Sequence, residues 1–313
     1  MAPPSTLAVA TALIDDLDRN DADAVERWFA PGATWWVDTG CDRAAGEFGC
    51  DPGPERPWPL HGSMDAATKA RLLRGLPTRF PNGCRQHRRR AFAGGQLAVV
   101  EVAGDGEFVT GRRYQNRYAF VIEVVDGRVR ELREYLDTAH AADVFDGTGV
   151  DRVTAAPPPA EPRLTPRGRD GELALRFVAA IDGAAPDGVL AVCAPDATWW
   201  ADGGRTRTAG PEGPVEAGGN PAKGKLFVAD RAPLVGQLAA LFPDGLRVVP
   251  QRLIESDEGG LVAVEARGHG VHRSGVTYQN RYCFVLATGA DGITEIREYC
   301  DTYHGFDVLR RSA

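Results

Sequence analysis

The chain has 313 residues, more than one hydrophobic core usually supports, so its length predicts two domains. With 43% hydrophobic and 25% charged residues it has the composition of a soluble globular protein, and its net charge of −7 argues against nucleic acid as a partner. The first residues lack the basic start of a signal peptide, and no apolar run approaches the roughly 18 residues of a membrane helix. These features predict a cytoplasmic protein that binds neither nucleic acid nor membrane.

The first half of the chain predicts helices followed by strands. Apolar residues at helical spacing predict two helices, over about 5–19 and 21–30, before a short strand at about 33–38. A loop rich in Gly and Pro leads to a third helix at about 63–76. Four strands come last, at about 85–92, 96–103, 112–124 and 128–137. Asp126-Gly127 marks the hairpin between the last two strands. This order is typical of an α+β fold with an antiparallel sheet.

The second half of the chain repeats the first. Residues 278–309 match residues 114–145 at 16 of 32 positions, at a constant spacing of 164 residues. The strand at 33–38 recurs at 197–202 with the same spacing. Residues 148–169 contain five prolines and predict an extended linker. We therefore predict two domains of one kind, at residues 1–147 and 170–313.

Acidic side chains on the predicted strands are the first candidates for chemistry. Glu134 shares a strand face with Leu132 and Leu136, and a carboxylate between apolar neighbours is expected to be paired or to lie in a pocket. Glu101 faces opposite to its valine neighbours on an earlier strand, and Asp38 follows two tryptophans. Each acid has a counterpart in the second half of the chain: Glu298, Glu265 and Asp202.

Three motifs occur in the same order in both halves: Trp-Trp-x-Asp, Val-Glu-Val or Val-Glu-Ala, and Arg-Glu-Tyr-x-Asp-Thr. In this order they resemble the SnoaL-like polyketide cyclases and limonene epoxide hydrolase, of the nuclear transport factor 2-like superfamily. The resemblance implies two cone-shaped domains, each with a curved antiparallel sheet wrapped around helices and one deep apolar pocket. It also implies that the two domains pack as an internal pseudo-dimer, and it leaves a further homodimer open.

The resemblance also implies roles for particular residues. In the epoxide hydrolase relatives a Tyr, an Asn and an Asp hold a water, while a second Asp and an Arg protonate the epoxide. These positions fall on Trp36, Asp38, Glu134 and Glu101 here, whereas the Arg position falls on Val99, which departs from the hydrolase pattern. We expect Glu134 to be the general base and Glu101 or Asp38 to be the acid. The expected catalytic set in both copies is Glu134, Glu298, Glu101, Glu265, Asp38 and Asp202.

A second set of residues is expected to contact the substrate. Tyr114, Asn116 and Tyr118 share a strand face and are placed to orient a substrate oxygen. The full expected set is Trp36, Trp200, Tyr114, Tyr278, Asn116, Asn280, Tyr118 and Tyr282. Acids crowded in an apolar cavity do not all ionise, so one donates a proton while another accepts it. This division suits isomerisation, aldol closure or epoxide opening.

Several of these residues also have a structural interpretation. Glu134 can pair with an arginine at the sheet surface, and Glu101 can be a buried partner of Arg117 or Arg85. Asp137 is predicted to cap a helix, and His140 is predicted to be a surface or interface histidine with its hydrogen bonds satisfied.

The sequence has no metal-ligand spacing, phosphate loop or nucleophile motif, so we expect neither a metal nor a cofactor. The prediction is a cofactor-free acid–base enzyme of secondary metabolism acting on a hydrophobic, polyketide-like small molecule. Cyclase, isomerase and epoxide-opening hydrolase remain open as its reaction. The alternative is a non-catalytic protein that binds such a molecule in the same pockets.

Overall fold

The computed structural model describes residues 4–37, 62–145, 159–201 and 223–309. Contacts divide the chain into two units, Met1–Arg152 and Val153–Ala313. Each unit contains helices and one curled sheet, which gives the α+β class predicted from the sequence. None of the helices among the described residues is long and apolar enough to cross a membrane.

The first unit has a sheet with the strand order β2-β1-β7-β6-β4-β3, in which β5 pairs with β4. Its helices are α1 (Thr6–Asp18), α2 (Ala22–Trp28), α3 (Ala66–Leu73), α4 (Leu76–Arg79) and α5 (Thr138–Val144). Its strands are β1 (Phe29–Val37), β2 (Gly62–Asp65), β3 (Cys84–Gly94), β4 (Leu97–Glu107), β5 (Arg113–Tyr114), β6 (Arg117–Val125) and β7 (Arg128–Leu136).

The second unit repeats this arrangement, with the strand order β10-β11-β12-β13-β8-β9. Its helices are α6 (Arg169–Asp182), α7 (Pro186–Leu190), α8 (Val228–Leu241) and α9 (Thr302–Leu309). Its strands are β8 (Cys193–Ala201), β9 (Gly224–Phe227), β10 (Leu246–Glu255), β11 (Leu261–Val271), β12 (Thr277–Gly289) and β13 (Gly292–Cys300).

One pair of strands in each unit is parallel, which the sequence analysis did not predict. β1 runs parallel to β7, and β8 runs parallel to β13, whereas the other pairs are antiparallel. Parallel neighbours require a long crossover, and the chain between β1 and β7 supplies it. The short strands β2 and β9 were also missed, because four residues show too little alternation to be recognised.

The central strands are buried on both faces, and alternation sorts their side chains between the two. On the face toward the helices, Val100, Phe120 and Leu132 pack in one core with Leu13 of α1. The other face carries buried residues too, among them Val121, which is fully buried. The direction of a side chain on these strands therefore decides which of two separate environments it enters.

The start of α5, the last helix of the first unit, has the cap predicted from the sequence. Asp137 caps α5, and its side chain accepts a hydrogen bond from the His140 backbone N–H at 3.0 Å. The His140 ring accepts from the Gln115 backbone N–H at 2.9 Å and stacks on Tyr114. His140 is thus a satisfied histidine that fixes the end of the sheet.

The second part of the predicted linker lies against the second unit. Arg167 binds the Asp257 carboxylate at 2.7 Å, and its backbone N–H donates to Glu255 at 2.7 Å. The Ala160 carbonyl accepts from the Gln251 side chain at 3.0 Å. Residues 146–158 lie outside the described part of the chain.

Candidate functional site

The first unit encloses a cavity of about 80 Å³ between its helices and the inner face of its sheet. One water needs about 10–15 Å³ on this measure, so the cavity has room for a small ligand. Most of its wall is apolar. The polar groups that border it come from Asn20, Trp35, Lys69, Cys84, Gln86, Tyr114, Tyr118 and Glu134.

Glu134 presents a carboxylate to this cavity from the C-terminal part of β7. Its side chain is only 12% exposed. The Trp35 indole Nε1 donates to Oε2 at 2.8 Å, because the parallel register of β1 and β7 brings Trp35 and Val37 alongside Leu132 and Glu134. The ammonium of Lys69 lies 3.7 Å from the same oxygen. The carboxylate is therefore held by one neutral donor and one cation.

Lys69 is one of the site residues that the sequence analysis missed. It lies on α3, is 2% exposed, and shares the buried face of the helix with Ala66 and Ala70. Its Nζ lies 5.0 Å from the centre of the Trp35 ring. Burial lowers the pKa of this ammonium, and Glu134 partly opposes that effect. A charge inside the apolar stripe of a predicted helix was the available signal.

Two tyrosines form a second polar group on the cavity wall. The hydroxyls of Tyr114 and Tyr118 lie 2.5 Å apart, and Asn116 Nδ2 donates to the Tyr114 oxygen at 3.2 Å. Burial raises the pKa of both phenols, so both stay protonated. Two hydroxyls that share one hydrogen bond leave one proton for another acceptor. Gly104 permits this placement, because a Cβ there would lie 3.0 Å from the Tyr118 ring.

Asn116 is engaged within the protein itself. Its Nδ2 also donates to the Asp137 carbonyl at 3.0 Å, and its Oδ1 accepts from the backbone N–H groups of Arg117 and Asp137. Asn280 has the same four contacts in the second unit. These amides hold the tyrosines in place, and direct contact between either amide and a substrate remains a prediction.

The second unit repeats the central contact around another cation. Trp199 Nε1 donates to Glu298 Oε2 at 3.0 Å, and Arg231 lies over the Trp199 ring at the position of Lys69. Arg231 is 4% exposed, and its Nη2 donates to the Gly224 carbonyl at 2.9 Å. Burial raises the pKa of Glu298, while the positive charge of Arg231 and the Trp199 hydrogen bond oppose that effect. Tyr278, Tyr282 and Asn280 repeat the tyrosine group.

The two units differ at three positions that border the first cavity. Asn20, Cys84 and Gln86 border the first cavity. Their counterparts in the repeat are all apolar: Ala184, Leu246 and Val248. Burial raises the pKa of the Cys84 thiol to about 12, so this cysteine remains a neutral thiol. Three polar residues that border the first cavity thus have apolar counterparts in the second unit.

Glu101 does not share a pocket with Glu134, so that part of the predicted acid set is wrong. Val100 pairs with Phe120, which pairs with Glu134, so these side chains share the inner face. Glu101 is one residue further along β4 and points to the opposite face. There it lies 3.8 Å from Arg90 Nε, and Glu265 lies 3.6 Å from Arg252 in the same way.

Trp36 and Trp200 are also on the opposite face, so the expectation that they line the pocket is wrong for the same reason. Trp36 is 1% exposed and packs edge-on against Tyr135, with ring centres 5.2 Å apart. Trp200 packs on Tyr299 at 5.2 Å. Trp35 lines the first cavity instead. The resemblance had matched the wrong member of each Trp-Trp pair to the pocket.

Other expected residues lie outside the described part of the chain. Asp38 falls in the range 38–61 and Asp202 in the range 202–222. Within the described residues, no group of three or more His, Cys, Asp or Glu side chains is arranged to hold a metal ion.

Comparison with known proteins defines the class to which this chain belongs. The sequence profile of the SnoaL-like domain matches residues 10–132 and, separately, residues 174–299. The chain is a member of the SnoaL-like domain family, and each of its two units carries one copy of that domain. No curated protein matches the chain.

Several solved structures are similar to part of the chain. A nuclear transport factor 2-like protein of unknown function from Burkholderia pseudomallei is 18% identical, over 45% of this chain and 96% of its own, with a TM-score of 0.36. TerC, co-crystallised with polyporic acid, is 17% identical over 45% of this chain and 98% of its own, with a TM-score of 0.35. A proposed SnoaL-like polyketide cyclase from Jannaschia is 17% identical over 46% of this chain and 93% of its own, with a TM-score of 0.34.

Proposed function

We propose that the first unit is an acid–base enzyme in which Glu134 removes or returns a proton on a hydrophobic, polyketide-like small molecule. The observation that carries the proposal is the carboxylate itself, 12% exposed on the wall of a mainly apolar cavity. Trp35 and Lys69 hold it from two sides. A positioned carboxylate in an apolar site is able to take a proton from carbon without competition from bulk water.

The tyrosine group completes the proposed chemistry. When a proton leaves a carbon beside a carbonyl, negative charge develops on the carbonyl oxygen. The spare hydroxyl proton of the Tyr114 and Tyr118 pair is available to donate to that oxygen. This combination suits isomerisation and aldol closure, and a carboxylate that activates water suits epoxide opening. All three reactions would use side chains of the protein as acids and bases, as the family resemblance implies.

For the second unit we propose binding of the same class of molecule without turnover. Arg231 stands where the first unit has Lys69, and the counterparts of Asn20, Cys84 and Gln86 are apolar. The non-catalytic binding role that the sequence left open is thus proposed for the second unit alone.

The test uses two generic probes, because the natural substrate is unidentified. β-Tetralone loses its α-protons to solvent deuterium when a base acts on it, and styrene oxide gives a diol when it is opened by water. We expect catalysis of one of these reactions, and Glu134→Gln should slow it about 100-fold. Glu298→Gln is the matched control and should leave the rate unchanged.

An undiminished rate in Glu134→Gln would exclude Glu134 as the base. A wild-type protein that binds both probes and returns them unchanged after long incubation would support the non-catalytic alternative for the whole chain.

A further inference from the structure

Lys69 presents a primary amine to the cavity, and the proposed proton transfer by Glu134 gives that amine no chemical step of its own. Its Nζ lies 3.7 Å from Glu134 Oε2 and 5.0 Å from the centre of the Trp35 ring. The residue is 2% exposed, and its side chain borders the cavity. A small molecule in the cavity would therefore meet the amine and the carboxylate side by side.

We propose that Lys69 is a nucleophile that forms an imine with an aldehyde or ketone bound in this cavity, with Glu134 moving the protons. The proposal goes beyond acid–base catalysis, because it adds a covalent step and names the reactive group of the substrate. Lysines become nucleophilic when an apolar environment disfavours their charged form. Burial of Lys69 acts in that direction on its pKa.

The step balances within the residues present. The Lys69 ammonium passes one proton to the Glu134 carboxylate, and the neutral amine attacks the carbonyl carbon as the carbon–oxygen π bond breaks. A second proton moves from nitrogen to the former carbonyl oxygen, which gives a carbinolamine. Glu134 then returns its proton to that hydroxyl, water leaves, and a positively charged imine remains opposite the carboxylate. The charge of the pair is the same at the end as at the start.

The product of this step would make it easier for Glu134 to remove a proton from the substrate. A protonated imine withdraws electrons from the neighbouring carbon, so a proton on that carbon is more easily removed. Glu134 Oε2 is already adjacent to the nitrogen. This sequence of steps favours isomerisation and aldol chemistry of carbonyl compounds over epoxide opening.

The second unit supplies an internal control. Burial lowers the pKa of Arg231 to about 10, yet the guanidinium remains charged near neutral pH. A guanidinium has no free amine for this reaction, so at this position of the repeat imine formation is confined to the first unit.

The experiment is direct labelling of the intact chain, which has only three lysines, Lys69, Lys223 and Lys225. The protein is incubated near pH 7 with benzaldehyde and sodium cyanoborohydride, which reduces any imine to a stable benzylamine. Peptide mass spectrometry then locates the label. We expect Lys69 to react about tenfold faster than Lys225, whose amine lies 4.0 Å from Glu295. Lys69→Arg should abolish that label, and Glu134→Gln should slow it.

Labelling of Lys69 no faster than that of Lys223 and Lys225 would overturn the proposal, and this result needs no variant that must fold. The outcome is separable from the test of Glu134. Proton exchange that depends on Glu134 in a protein with an unreactive Lys69 would leave the acid–base function standing and remove only the imine.

Discussion

The indole nitrogen of Trp35 lies 2.8 Å from Oε2 of Glu134, across the parallel pair of β1 and β7. Trp199 and Glu298 repeat the contact at 3.0 Å in the second unit. A neutral N–H donor fixes the direction of a carboxylate without neutralising its charge. The cation beside each carboxylate differs between the units, Lys69 in the first and Arg231 in the second. The shared contact thus positions the acid in both units, whereas the cation beside it differs.

Replacing Trp35 by Phe tests this positioning role. The change keeps an aromatic ring but leaves Glu134 without its neutral donor, so the free energy of unfolding should fall by roughly 1–3 kcal/mol in urea titrations. Proton exchange on β-tetralone should also slow. Trp36→Phe is the matched control, because it shortens a buried indole on the opposite face. Equal slowing of exchange in the two variants would contradict the assigned role.

Glu298→Gln should change the pH dependence of stability. Burial raises the pKa of Glu298 above 4.5, so the native state holds more protons than the unfolded chain between 4.5 and the raised value. The stability of the wild type therefore falls as pH rises through that interval, and each tenfold change in proton affinity corresponds to about 1.4 kcal/mol. The glutamine variant lacks this pH-dependent loss of stability, and its amide oxygen can still accept the hydrogen bond from Trp199 Nε1.

Urea unfolding at several pH values checks this prediction. The variant should gain stability relative to the wild type between acid and neutral pH, whereas the exposed control Glu258→Gln should not. A difference that stays constant with pH would show that folding does not raise the pKa of Glu298.

The pKa of Lys69 should fall further when Glu134 is replaced by Gln. Burial already holds it below the ordinary 10.5, and the Glu134 carboxylate is the group that raises it. Between the lowered pKa and 10.5 the unfolded chain holds the extra proton, so this lysine makes the protein more stable as pH rises through that range. Carbon-13 NMR of the reductively methylated protein measures the change, since three lysines give few signals. An unchanged titration of the Lys69 signal would mean that the two groups are not coupled.

Tyr118→Phe tests the tyrosine pair. It removes one of the two hydroxyls that share a hydrogen bond, so the Tyr114 hydroxyl would have to donate to a substrate oxygen without the second phenol of the pair. We expect a loss of about 1 kcal/mol in the free energy of unfolding and a roughly 100-fold slower proton exchange. Tyr282→Phe makes the same change in the second unit and should cost similar stability with no effect on rate. A slower reaction in Tyr282→Phe would assign turnover to the second unit as well.

The error over Glu101 shows how local pattern and family resemblance compete. Alternation along β4 places Glu101 opposite to Val100 and Val102, and the structure follows that pattern. The resemblance nevertheless suggested one pocket for Glu101 and Glu134. A one-residue step along a strand turns a side chain to the other face, so strand parity was the stronger guide.

The sequence by itself determined the two copies, the class of fold, the order of most elements and the face on which Glu134 and Glu298 lie. These features depend on repetition and on local periodicity, which every stretch of chain carries within itself.

Only the tertiary structure decided which groups meet those carboxylates. Trp35 reaches Glu134 because β1 pairs in parallel with β7, and Lys69 reaches it because α3 folds over the inner face of the sheet. Trp35 and Glu134 are 99 positions apart, and local periodicity does not extend over that distance. The apolar stripe of the predicted helix indicates that Lys69 is buried, but it does not show which carboxylate the lysine meets. Packing brought Lys69 into the cavity, and with it the chemistry proposed for this protein.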